Sequence, residues 1–171
     1  MPVLHGDKIK QDEIDMLEKK YGIQLEESYK FFLKSENGFL VKQPDYCEFD
    51  FDNVDDGVIA LYSLYSLGNE NENNELIYNN DEFLNELEFI DSAFIIGGDP
   101  GGNYFVLMGN KNHKGVFYWD RTHLHADDDK SAFSIPEHNE SGNLYKVSSS
   151  FKDFYELIKK NTFIDGVPYL K

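Results

Sequence analysis

Hydrophobic side chains recur at three- and four-residue spacing in the opening of the chain and at two-residue spacing through its middle. Ile14, Leu17 and Tyr21 share one face of a helix expected over Asp7–Tyr21, with Asp7 as its cap and Gly22 as its left-handed stop. A second amphipathic helix is expected over Glu26–Ser35, with Tyr29, Phe32 and Leu33 inward. Glu26 and Glu27 lie in its first turn, where the helix dipole favours anions, and Asn37-Gly38 ends it. From Phe39 to Leu67 the period changes. Tyr46, Glu48, Asp50 and Asp52 alternate with Cys47, Phe49 and Phe51, as on a half-buried strand that points its carboxylates away from the apolar side. Val58–Leu67 is a further apolar run.

The Asn- and Glu-rich segment Asn69–Asn74 reads as the most mobile part of the chain, and a helix is expected to resume near Asn79 with Phe83, Leu84, Leu87 and Ile90 inward. Ala93–Ile96, Tyr104–Met108 and Gly115–Trp119 are short β-branched or aromatic runs separated by Gly- and Asn-containing turns. Separations this short favour an antiparallel meander over parallel crossovers. Leu144–Val147 reads as a last strand. Ser150 then caps a closing helix whose stripe is Phe151, Phe154, Leu157 and Ile158, with Asp153 in the first turn and Lys159-Lys160 at the end. Residues 161–171 are expected to lie along the surface. No repeat or linker divides the chain, so 1–171 is expected to be one domain with its core over 7–160.

Composition narrows the function classes. At 171 residues, 40% hydrophobic and 15% aromatic, the chain can bury a core without a staple. The lone Cys47 excludes an internal disulfide and a multi-cysteine zinc site. The sequence has no apolar run of membrane-spanning length and its opening lacks a signal-peptide core, so a cytoplasmic location is expected. Asp and Glu number 32 against 16 Lys and Arg, a net −16. That sign opposes nucleic acid and anionic membranes and favours a basic partner. The charge is also segregated: Gln43–Asn110 holds 15 acidic residues and no Lys or Arg, while the rest nearly balances. A solvated acidic surface and a face that docks a cationic protein both fit this pattern.

Candidate chemistry is sparse. Gly97–Asn103 resembles a phosphate loop only in its glycines: no Gly-Lys-Ser/Thr or helix follows, and Asp99 would repel a phosphate. His123 and His125 beside Asp127, Asp128 and Asp129 have metal-ligand types at an unspecific spacing. Cys47 sits among Asp45, Glu48 and Asp50, which work against a thiolate, and no Gly-x-Ser-x-Gly elbow exists. Alternation across Tyr118 and Trp119 places one ring inside and one outside.

The order of these pieces resembles the SUKH superfamily, which includes bacterial toxin-immunity proteins and the fungal Smi/Knr cell-wall regulators. IDMLEKKYGIQLEESYKFFLKSENG (14–38), FIIGGDPGGN (94–103), GVFYWD (115–120) and SSFKDFYELIK (149–159) are similar to the family's opening helices, central strand and turn, next strand and closing helix. Two positions depart from it: Glu26 stands where the family usually has Pro, and the segment Asn69–Ile90 is long. The resemblance implies an α+β fold with a twisted, mostly antiparallel sheet flanked by helices. It also implies an immunity protein that occludes a cognate toxin, and it brings no catalytic residue, cofactor or metal.

A non-enzymatic toxin-binding protein is therefore expected, a monomer or weak homodimer. Its partner-binding residues are expected to be Glu48, Asp50, Asp52, Asp55 and Asp56, then Glu70, Glu72 and Asp99, with Tyr46 or Trp119 as exposed aromatic anchors. Two alternatives stand beside it: a regulatory protein-interaction scaffold, and a ligand- or metal-dependent enzyme using the Gly97–Asn103 loop and the His123 cluster.

Overall fold

The computed structural model describes residues 3–54, 56–111, 113–121, 133–135 and 142–169; for residues 133–135 and 142, only the backbone is described. Their strands form two antiparallel sheets packed with helices, an α+β fold. The larger sheet contains β1 (Val3–Leu4), β2 (Phe39–Val41), β5 (Ser63–Leu64), β6 (Ala93–Gly98), β7 (Tyr104–Gly109), β8 (Lys114–Asp120), β9 (Phe133–Ile135) and β10 (Gly142–Ser148), in the order β1-β2-β5-β6-β7-β8-β10-β9. The smaller contains β3 (Tyr46–Asp50), β4 (Val58–Ala60), β11 (Thr162–Ile164) and β12 (Val167–Pro168), in the order β12-β11-β3-β4. The helices are α1 (Gln11–Tyr21), α2 (Glu27–Ser35), α3 (Leu76–Phe83) and α4 (Phe151–Lys160), with single 3₁₀ turns at Glu72–Asn74 and Leu84–Leu87.

The meander β6-β7-β8 forms where the turn-separated apolar runs predict it, and both of its faces are covered. Phe105 and Tyr118 oppose each other across β7 and β8, and the Phe105 ring meets Phe154 of α4 at 5.1 Å and Phe49 of β3 at 6.5 Å. On the same side, Phe94 of β6 meets Tyr21 of α1 and Tyr29 of α2. Tyr104 and Trp119 oppose each other on the other face, and Tyr104 meets Phe83 of α3 at 5.2 Å. A sheet covered on both sides has no solvent face for its central strands, so their sequences run apolar without alternating. Trp119 and Tyr118 are accordingly both buried, Trp119 with 1% of its surface exposed, which corrects the expectation that one of these rings points outward.

β8 also needs Gly115, whose φ is 122° and whose added Cβ would stand 2.0 Å from the carbonyl oxygen of Ser148 on β10. Only glycine combines that backbone with that approach. The α4 cap forms as expected: Ser150 Oγ accepts from the Asp153 amide at 3.1 Å. Gly22 closes α1 with φ 63°.

Four expectations shift. α1 begins at Gln11, after Lys10, because Glu13 reaches back to accept from the Lys10 amide while the Asp7 carbonyl accepts from buried Asn37. α3 begins before Asn79, because the Glu75 side chain accepts from the Tyr78 amide and caps it at Leu76. Asn69–Asn74 is held by its own side chains: Asn69 accepts from the Asn71 amide, Asn71 from the Asn73 amide, and buried Asn74 from Ser63 Oγ. Asparagine favours turns for this reason, so the composition that suggests mobility builds a relay of local bonds. Finally, the C-terminal segment is a hairpin: Asp165 and Gly166, at φ 49° and 73°, turn β11 into β12. β11 pairs Thr162 with Cys47 and Phe163 with Tyr46 of β3.

Candidate partner-binding cleft

The alternation read in 46–50 sets up one wall of a large cleft. β3 buries Cys47 and Phe49 and exposes Tyr46, Glu48 and Asp50 on its outer face. β4 lies opposite, pairing Ala60 with Glu48 and Val58 with Asp50. On the other side of β3, the Phe163 ring stacks on Tyr46, centroids 5.3 Å apart and planes 22° from parallel. Between the Tyr46–Glu48 end of this face, the β6–β7 turn and α3 lies a cleft of about 890 Å³. Buried Tyr65 and Tyr104 and half-buried Phe83 line it with Tyr46, Tyr62 and Tyr78, which are 47%, 41% and 38% exposed. Its carboxylates are Asp45, Glu48 and Asp99. It has no Lys, Arg or His, and every lining residue except Val41 falls in the basic-free stretch 43–110. Of the 15 carboxylates in that stretch, three therefore line a concave, tyrosine-rich surface.

The carboxylates expected at an interface have different fates. Tyr46, Glu48 and Asp99 line the cleft; Asp50 continues the same strand face beyond it. Asp52 and Asp56 are exposed in the β3–β4 turn, while Asp55 lies outside the described residues. Glu70 and Glu72 are exposed ahead of α3 and do not line the cleft.

Asp99 is already committed to the fold. Its Oδ1 accepts from the Gly101 and Asn103 amides at 2.8 Å, and its Oδ2 from Asn103 Nδ2 at 2.9 Å and the Tyr118 hydroxyl at 2.8 Å. Four donors saturate the carboxylate, which corrects its assignment as a partner contact. The same bonds explain the Gly97–Asn103 loop: Asp99 takes the amides of Gly101 and Asn103, and such loop amides are what a phosphate loop offers its ligand. Trp119 is corrected as an anchor by its burial; the Arg121 guanidinium, paired with Glu86 at 2.9 Å, lies 5.1 Å from its ring.

Other carboxylates of the stretch also serve the fold. Glu75 caps α3, and Asp81 accepts from Lys20 and from the Tyr21 hydroxyl. Burial pushes the Cys47 thiol up to about 11, with Glu48 adding a smaller push in the same direction, so the thiol stays protonated at neutral pH. His123, His125, Asp127, Asp128 and Asp129 lie outside the described residues. Among the described residues, no group of three or more His, Cys, Asp or Glu side chains is arranged to hold a metal, and no helix is long and apolar enough to cross a membrane.

The sequence reading missed Tyr62 and Tyr78, and it missed Phe163. The signal for Phe163 is Asp165-Gly166 between two short apolar runs, a strong hairpin signature. Tyr62 and Tyr78 carry no such signal, because each reads locally as part of an apolar run.

No curated protein and no solved structure matches the chain. A family model does, over residues 8–157, from just ahead of α1 nearly to the end of α4. That match takes in both helical layers and the central meander in the order seen in the sequence, and the chain belongs to the SMI1/KNR4 family (SUKH-1).

Proposed function

We propose that this chain is a non-enzymatic, cytoplasmic immunity protein that binds a cationic toxin of the nuclease type and silences it by occlusion. The observation that carries this reading is a concave surface built almost wholly from the basic-free stretch, lined by exposed tyrosines and by Asp45 and Glu48 and holding no Lys, Arg or His. Complementary fields accelerate encounter and select the partner, while exposed aromatics at a concave centre supply the contact energy. Nuclease grooves are basic, so a protein of net −16 is suited to cover one.

Within this reading Tyr46, Glu48 and Asp50 form the centre of the contact, Asp52 and Asp56 extend it along the β3–β4 turn, and Asp55 adds to the same charge. Glu70 and Glu72 form a more distant rim. The domain acts alone, without a cofactor. Family membership also accommodates a regulatory scaffold, and the charge segregation is what favours a cationic toxin over it.

The test is to identify the toxin by affinity capture with this protein as bait and to co-express the two. Protection of growth is expected, and it should fall when Glu48, Asp50 and Asp52 are together changed to Lys. Those changes should also slow association and flatten its salt dependence. Unchanged association at low salt in the triple variant overturns the electrostatic role, and failure to protect overturns the immunity role.

A further inference from the structure

The cleft has features that a general acidic surface does not need. Three of its tyrosines are substantially exposed, two more are buried among its lining residues, and the Glu48 carboxylate has no hydrogen-bond or ion-pair partner among the described residues. Its volume of about 890 Å³ is near the top of the range of about 300–1,000 Å³ for sites that enclose a ligand, enough for a side chain together with its flanking backbone.

We infer that the cleft receives an arginine side chain of the protein partner, its guanidinium lying against the faces of Tyr46, Tyr62 or Tyr78 and pairing with Glu48. This rests on the proposed cationic partner and names the group by which it is recognised. Guanidinium fits better than ammonium. It is planar, more weakly hydrated, stacks on aromatic faces and pairs a carboxylate through two parallel bonds.

The molecule already holds one guanidinium in this way. Arg121 lies 4.8 Å from the ring centroid of Phe83 and 5.4 Å from that of Tyr104, both cleft-lining residues, while its Nη2 stands 2.9 Å from Glu86 Oε1. The inferred ligand would repeat, on the open side, the combination of rings and carboxylate that the fold uses internally.

The test is an NMR titration of the full chain with acetyl-Gly-Arg-Gly-amide, alongside the citrulline and lysine counterparts. Citrulline keeps the shape and removes the charge. Shifts should cluster at Tyr46, Glu48, Tyr62 and Tyr78. The citrulline peptide should bind about tenfold more weakly and the lysine peptide about threefold more weakly. Glu48→Gln and the double change Tyr62→Ala/Tyr78→Ala should each weaken the arginine peptide about three- to tenfold, with the remaining spectrum reporting an intact fold. Equal response to citrulline, shifts away from the cleft, or undiminished binding by the double variant overturns the inference. The two readings fail separately. Arginine-specific shifts in a protein that gives no protection leave the cleft assignment standing without its toxin, and a silent cleft in a protective one overturns the cleft assignment alone.

Discussion

The Glu26 carboxylate accepts a hydrogen bond from the Phe151 amide at 3.1 Å, joining the start of α2 to the start of α4 across 125 positions of sequence. Phe151 is the first residue of α4, so its amide has no partner within the helix. Glu26 also accepts from the Ser28 hydroxyl. The family's usual proline would suit the backbone here, where φ is −63°, but would give up this bond. Glu26→Ala should destabilise the protein by about 1–2 kcal/mol in chemical denaturation, and Glu26→Gln by less. An unchanged midpoint for Glu26→Ala would show that the bond contributes nothing net.

Two glycines with positive φ should respond very differently to alanine. Gly22→Ala meets no atom within 4 Å and should cost only the left-handed backbone penalty, about 1 kcal/mol. Gly115→Ala meets the Ser148 carbonyl at 2.0 Å and should cost about 2–4 kcal/mol, read as a lowered Tm. Equal losses at the two sites would contradict the close approach of β8 and β10.

Asn80 Nδ2 donates to the carbonyls of Leu76 and Ile95, and its Oδ1 accepts from the Ile95 amide, all between 2.8 and 2.9 Å in a buried setting. It pairs the backbone beside the register shift in β6. Asn80→Ala should cost about 3 kcal/mol, because the amide and carbonyl of Ile95 are left buried without that partner. Asn80→Leu should do no better, and a thermal melt distinguishes this from simple loss of volume.

Alkaline pH should unfold the protein cooperatively. Burial raises the phenols of Tyr29, Tyr65, Tyr118 and Tyr155 above their ordinary value; Asp99 adds to this at Tyr118 and Glu36 at Tyr155. The folded state therefore keeps protons that the unfolded state releases near pH 10, about the ordinary tyrosine value. Stability is fully present below that pH and is lost as pH rises above it. Tyrosinate absorbance and loss of circular dichroism should rise together; ionisation of these phenols with the fold intact would contradict their burial.

Cys47, with its thiol pushed up to about 11 and its Sγ facing the Ile158 carbonyl at 3.7 Å, should resist thiol reagents in the native protein at neutral pH and react once denaturant is added. Rapid labelling without denaturant would show that β3 opens readily.

What the sequence disclosed depended on how local the deciding contacts were. The α4 cap, the Gly22 stop and the β6-β7-β8 meander follow from residues within a few positions of one another, and each forms as predicted. The alternation in 46–50 likewise identified which carboxylates point outward. Long-range partners were not legible. Nothing near Trp119 says that Tyr104 will meet its ring, and nothing near Asp99 says that Tyr118 will help saturate it. The cleft itself joins residues from 41 to 104 through turns whose three-dimensional course no periodicity records.

The antiparallel pairing of Thr162–Ile164 with the strand that carries Tyr46 bears on biosynthesis. One side of the cleft wall is laid down early, and the segment that flanks it emerges more than a hundred residues later. A nascent polypeptide stalled after α4 would present Tyr46 without its stacked neighbour and β3 with an unpaired edge. The outer face of β3 should therefore reach its folded form abruptly once Thr162–Ile164 has emerged, not build up gradually as the preceding elements appear.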